Sequence, residues 1–100
     1  MKVVFEYKYE DGCYGYVDTR GERTEEFELD GSTEVRLPPC NKNINVKVID
    51  ESVEIELPFD RHMLVSTEKT PFIYTECYES FGDLRGIDLS GTVRIIKDIV

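Results

Sequence analysis

The residues able to do chemistry in this chain are few, and their spacing singles out no reaction. One histidine, His62, accompanies three cysteines, Cys13, Cys40 and Cys77, spread widely along the sequence. Nucleophilic catalysis would need His62 beside one of these thiols, oriented by a carboxylate such as Asp60. Nothing flanking His62 resembles a nucleophile elbow or a phosphate-binding loop. Zinc would require the three thiols and His62 to converge, yet no C-x2-C knuckle is present. Calcium would find hard oxygen ligands at Asp11-Gly12, Asp30-Gly31-Ser32 and Asp83–Asp88, none of which matches an EF-hand loop. Carboxylates are so abundant that no pair stands out for glycoside chemistry. The expectation is a non-enzyme with no catalytic residue, cofactor or metal.

Two constellations point to binding instead. Glu25, Glu26, Glu28, Asp30 and Glu34 crowd one short stretch. At two-residue steps along a strand, Glu26, Glu28 and Asp30 would share a face at intervals of about 7 Å. That interval is of the order of phosphate spacing in nucleic acid, so the row could occupy a groove in which another protein holds DNA or RNA. The second constellation is aromatic. If Asp11-Gly12 turns a hairpin, Phe5, Tyr7, Tyr9, Tyr14 and Tyr16 fall on one face of the ribbon. Four phenols on one face read either as a half-exposed platform for a sugar, base or partner protein, or as core with hydroxyls reaching the rim.

The elements that must hold these residues alternate with period two, and none shows a sustained helical period. Lys2–Glu10 and Cys13–Thr19 flank Asp11-Gly12, a type I′ signal that would set Tyr9 opposite Tyr14 and Tyr7 opposite Tyr16. Thr24–Leu29 and Thr33–Leu37 read as a second hairpin around Asp30-Gly31-Ser32, opposing Phe27 to Val35 and Leu29 to Thr33. Ile44–Ile49 and Ser52–Leu57 form a third around Asp50-Glu51. It pairs Val48 with Val53, Val46 with Ile55 and Ile44 with Leu57 on one face, and Lys47 with Glu54 on the other. His62–Thr67 and Phe72–Glu79 read as strands, Ser80–Ser90 as a long irregular loop, and Thr92–Val100 as a final strand. Eight or nine short strands imply an all-β, antiparallel sandwich, with a partly open barrel as the alternative. One hundred residues make one domain, 1–100.

Charge bounds the partners. Twelve Lys and Arg stand against 21 Asp and Glu, giving −9 at pH 7. Phosphate backbones and anionic lipid both need basic surface, so neither direct nucleic-acid nor membrane binding fits. No apolar run approaches the roughly 18 residues that span a bilayer. An odd set of scattered cysteines, behind a Met1–Tyr9 segment that reads as a strand, points to the reducing cytoplasm. The expected function is a non-enzymatic acidic module binding a protein with a basic surface. Its concrete form is a small inhibitor or adaptor, of the kind mobile genetic elements encode, covering a nucleic-acid-binding groove. Glu25, Glu26, Glu28, Asp30 and Glu34 would steer the encounter, and Tyr7, Tyr9, Tyr14 and Tyr16 would anchor it. The alternatives are a sugar or calcium module and a structural subunit of a larger particle; composition does not fix the oligomeric state.

Overall fold

The computed structural model describes residues 1–13, 16–49, 52–57, 61–65 and 68–96. They form eight strands: β1 (Lys2–Cys13), β2 (Tyr16–Glu28), β3 (Ser32–Val35), β4 (Ile44–Ile49), β5 (Ser52–Leu57), β6 (Arg61–Val65), β7 (Thr70–Ser80) and β8 (Asp83–Ile96). Two antiparallel four-stranded sheets result, one ordered β2-β1-β8-β7 and the other β3-β4-β5-β6. The fold is the all-β sandwich expected from the alternation, with its sheets open rather than closed into a barrel. Every paired neighbour is consecutive in sequence except β1 with β8. The connectivity is an up-and-down meander, broken where β2 passes to β3 and where β6 passes to β7.

Alternate residues of each strand fill the space between the sheets. Val3, Phe5 and Tyr7 of β1, Phe72 and Tyr74 of β7, and Ile87, Leu89, Val93 and Ile95 of β8 face Ile44, Val46, Val53, Ile55 and Val65 of the second sheet. Burying each such side chain stabilises the fold by roughly 1.5–3 kcal/mol. Phe5 meets Phe27 and Phe72 edge-on at centroid distances of 5.9 and 5.8 Å, the favoured geometry for aromatic quadrupoles. Gly91 lies between Tyr7 and Phe72 in the ladder. A Cβ there would run into the Glu6 carbonyl oxygen and the Tyr7 Cα. The bare glycine lets β1 press against β8, and the Tyr7 and Phe72 rings meet over it at 6.3 Å.

The third hairpin has its expected register, with Val46 opposite Ile55, Lys47 opposite Glu54 and Val48 opposite Val53; Asp50-Glu51 lies outside the described residues. The first hairpin differs. Cys13 pairs with Tyr16, Tyr9 with Gly21 and Tyr7 with Arg23, so β1 continues through Asp11-Gly12. The register shifts there instead, leaving Asp18 as the extra residue of a bulge in β2. Gly12 is needed for a close approach rather than a turn, because a Cβ would strike the backbone of Tyr16 and Val17.

The second hairpin is absent. β2 pairs with β1 and β3 pairs with β4, so Asp30-Gly31 carries the chain from one sheet to the other. Ser80–Ser90 is not an irregular loop, since β8 runs unbroken from Asp83 to Ile96, pairing with β7 over Asp83–Val93 and with β1 over Arg85–Ile96. The final strand thus begins nine residues earlier than Thr92.

The two sheets are of unequal length. Strands of the first sheet have 11 to 14 residues and those of the second have 4 to 6. The molecule measures 50 × 23 × 17 Å. The core ends at a row formed by Glu76 and Ile87. Beyond it the β1–β2 and β7–β8 hairpins run on together for about four residues, or roughly 13 Å, as a tongue without a covering sheet.

Candidate functional site

The tongue is a four-stranded ribbon whose register sets Tyr78 beside Arg85, Arg85 beside Cys13 and Cys13 beside Tyr16. Its base is closed by a buried carboxylate. Glu76 is 1% exposed. Its Oε1 accepts the Asn41 amide at 2.8 Å, and its Oε2 accepts the Lys42 amide and the Tyr74 hydroxyl, each at 3.2 Å. The connection between β3 and β4 is thereby clasped onto β7. Cys40 lies against this group, and burial, with Glu76 adding to it, pushes its thiol up to about 12.

Above Glu76 a polar network replaces the missing apolar cover. Arg85 Nε donates to the Tyr78 hydroxyl at 3.1 Å, and Tyr78 donates to Asp11 Oδ1 at 2.9 Å. Arg85 Nη1 reaches Cys13 Sγ at 3.4 Å, and Nη2 binds Asp18. The β2 bulge turns Asp18 toward Arg85, so the register shift and the ion pair are one device. Burial and the hydrogen bond to Asp11 push the Tyr78 phenol above its ordinary value. The Asp18 contact raises the Arg85 guanidinium, which stays charged. These bonds, with the Tyr78 ring packed against the edge of the core, fix the ribbon's shape.

The opposite face and the tip of the tongue are apolar and exposed. Gly12 and Gly86 pair on the floor of a shallow groove of about 210 Å³, walled by Val17, Leu84 and Cys77, with Glu10 and Asp88 at its rim. Tyr16 and Leu84 are each 66% exposed, and Phe81 projects fully into solvent. Phe81 has φ 52° and Gly82 has φ 83° in the two-residue turn between Ser80 and Asp83. The left-handed conformation costs a side-chain-bearing residue roughly 1–2 kcal/mol. A bulky ring held in it, touching nothing, is not there for stability.

Charge gathers at the same end. Residues 10–20 and 76–88 hold seven acids, Glu10, Asp11, Asp18, Glu76, Glu79, Asp83 and Asp88, against Arg20 and Arg85. That is a net −5 of the chain's −9.

The residues expected from sequence to bind a partner are distributed differently. Tyr7 is core: it is 4% exposed, and its hydroxyl donates to the Pro38 carbonyl at 2.5 Å. Burial raises its phenol to about 12. Tyr9 is half-buried against the core, and Tyr16 is exposed on the tongue, several residues from Tyr7 in the ladder. Tyr14 lies outside the described residues. No shared tyrosine platform forms among the others, because the true register separates them.

The acidic row is broken up: Glu26 and Glu28 share an exposed face of β2, as expected, but the other acids leave it. Glu25 faces inward and takes a hydrogen bond from Arg23 at 3.0 Å. Glu26 pairs with Lys2 at 3.9 Å, and Glu28 with the Met1 amino group at 3.0 Å. Asp30 sits beyond β2 in the crossover, and Glu34 belongs to the other sheet, where Asn43 donates to it at 3.2 Å. A wider hollow of about 710 Å³, over Glu6, Lys8, Glu22, Thr24, Ser90 and Thr92, is polar and crossed by a Lys8–Glu22 pair at 3.7 Å. Its one aromatic lining residue, Tyr7, is buried and presents almost no ring surface to it.

Cys13 is half-buried, Cys40 buried and Cys77 exposed, all as free thiols. Among the described residues no three His, Cys, Asp or Glu side chains converge on a metal position, and no helix is long and apolar enough to cross a membrane. Phe81, Leu84 and Val17 are the exposed apolar residues at this end that the sequence pattern does not single out, whereas Leu64 and Ile73 are exposed elsewhere. The Phe-Gly pair flanked by strand-forming residues was the one available signal. Comparison with protein-family models, curated proteins and solved structures returns no match to this chain.

Proposed function

We propose that this protein is a non-enzymatic binding module whose tongue docks onto a basic protein partner. The observation that carries this reading is the exposed Phe81 in a left-handed turn, at the same end of the sheet as the exposed Tyr16, Val17 and Leu84, an end that holds net −5. Aromatic side chains dominate the energetics of protein interfaces. A field of one sign steers the encounter and selects a partner of the opposite sign. The same field repels phosphate and anionic lipid, which argues for protein over nucleic acid or membrane as the surface engaged. A protein that itself grips nucleic acid presents the basic surface required, so an inhibitor or adaptor role fits.

A charge-matched pair of variants tests the reading. Replacing Glu10, Glu79 and Asp88 with Lys adds two units each, moving the chain from −9 to −3. Replacing Glu26, Glu28 and Asp30 with Lys does the same away from the tongue. Immobilised wild type and both variants are exposed to extract from the source cells at two salt concentrations, and the captured proteins are compared by mass spectrometry. The expected result is a partner held by wild type and by the β2 variant and lost by the tongue variant. Equal loss from both variants would reduce the interaction to net charge and remove the tongue from it.

A further inference from the structure

The sandwich exposes four strand edges, and they are not alike. β3 and β6 are four and five residues long. β2 is long, but seven of its 13 residues are Asp, Glu or Arg and a bulge interrupts it. Short length, charge and bulges are the devices that keep a sheet edge from pairing with another chain. β7 is neither short nor bulged, and its charge is sparse. It runs 11 residues in unbroken register with β8, from Thr70 opposite Val93 to Ser80 opposite Asp83. Its two charged residues are Glu76, whose side chain is buried, and Glu79. Its proline, Pro71, stands near the start, which leaves Phe72–Ser80 free of that obstacle. Ile73 is 67% exposed. Among the described residues β7 pairs with β8 alone, so every second amide and carbonyl along it faces outward without a strand partner.

From these features we infer that β7 accepts an added strand, an extended basic segment of the partner protein. The inference rests on the proposed reading that the partner is basic, and adds how the partner is held. Main-chain hydrogen bonds to a sheet edge supply affinity in such complexes, while flanking side chains select the sequence. On the C-terminal half of β7 the exposed charge is acidic, while Lys69, just ahead of the strand, pairs with Glu6 at 3.9 Å. β7 contains no Lys or Arg, Glu79 is exposed on it, and Asp88 lies one strand in, accepting from Thr75 Oγ1 at 2.9 Å. Arg85, the basic residue beside this half of β7, is engaged by Asp18. Ile73 offers apolar contact to a β-branched residue of the incoming strand. A second copy of this chain would bring like charge to that edge.

The test titrates the full chain with an acetylated, amidated octapeptide of alternating lysine and valine, and with its fully N-methylated analogue. The analogue keeps the charges but has no amide donors, so it cannot complete a ladder. The expected result is binding of the parent at least tenfold tighter than the analogue, with slowed hydrogen exchange at outward amides of β7 and none at β2. Equal affinity for the two peptides overturns strand addition and leaves the acidic-surface reading standing. Binding of neither at low salt overturns the charge complementarity on which both rest. Protection of β7 that grows with protein concentration in the absence of peptide assigns the edge to a second copy and overturns the occupant named here.

Discussion

Replacing Phe81 with Asn separates stability from binding, because the two should move in opposite directions. Phe81 is fully exposed, so truncating its ring removes almost no buried area and forfeits almost no hydrophobic stabilisation. Its φ of 52° is left-handed, a conformation costing a bulky residue roughly 1–2 kcal/mol that Asn tolerates far better. The variant should therefore be about 1 kcal/mol more stable. For a domain of this length, that is a rise in Tm of roughly 4–8 °C. Calorimetry with a matching urea titration measures it directly. Binding should fall in the same protein: losing an aromatic anchor of about 2 kcal/mol weakens Kd about 30-fold. Titration calorimetry against the captured partner reads that number. A lower Tm would mean that Phe81 packs on something and that its exposure was misread. A raised Tm with unchanged Kd would leave the strain without a function and refute the anchor.

Two further outcomes follow from buried groups. Glu76→Gln puts an amide nitrogen where a carboxylate oxygen now accepts, orphaning the Lys42 or the Asn41 amide. A loss of about 2–4 kcal/mol is expected, seen as a lower urea midpoint at unchanged slope; a loss under about 0.5 kcal/mol would remove the clasp from the account. Burial raises Cys40 from 9.0 to about 12 and Tyr7 from 10.0 to about 12, and moves Tyr74 upward as well. Each raised value favours the protonated group in the fold, so this stability is complete below the unfolded values and drains as pH climbs from 9 toward 12. Urea midpoints across that range should fall, and Cys40→Ala should flatten the early part of the decline; a flat wild-type profile would contradict the burial of these groups.

How much of this was legible depends on whether each signal was local. Ile44–Leu57 reads correctly because its alternation is clean on both strands and a slip would turn Val46 and Ile55 outward. Asp11-Gly12 and Asp30-Gly31 do mark special backbone, but a glycine needed for a bulge or a sheet crossover looks the same as one needed for a turn. Only knowledge of the pairing partner tells them apart. β8 carries the period-two series Ile87, Leu89, Val93, Ile95, obscured because Gly91 occupies the intervening inward position where the Tyr7 and Phe72 rings meet. The fate of the tyrosines was farther out of reach. Tyr7 is buried and Tyr16 exposed because the second sheet covers one and stops short of the other, a fact about strands that begin only at Ser32. The acid count was plain in the sequence, but its concentration on two hairpin ends far apart in the chain required the β1–β8 pairing.

That pairing has a practical corollary. Lys2 lies opposite Ile96, so the start of β1 and the end of β8 sit together at the pole remote from Phe81, roughly 40 Å away at strand rise. A tag, resin or fused domain attached ahead of β1 therefore starts from the pole remote from the docking end. The molecule can be tethered like a bristle, free end outward.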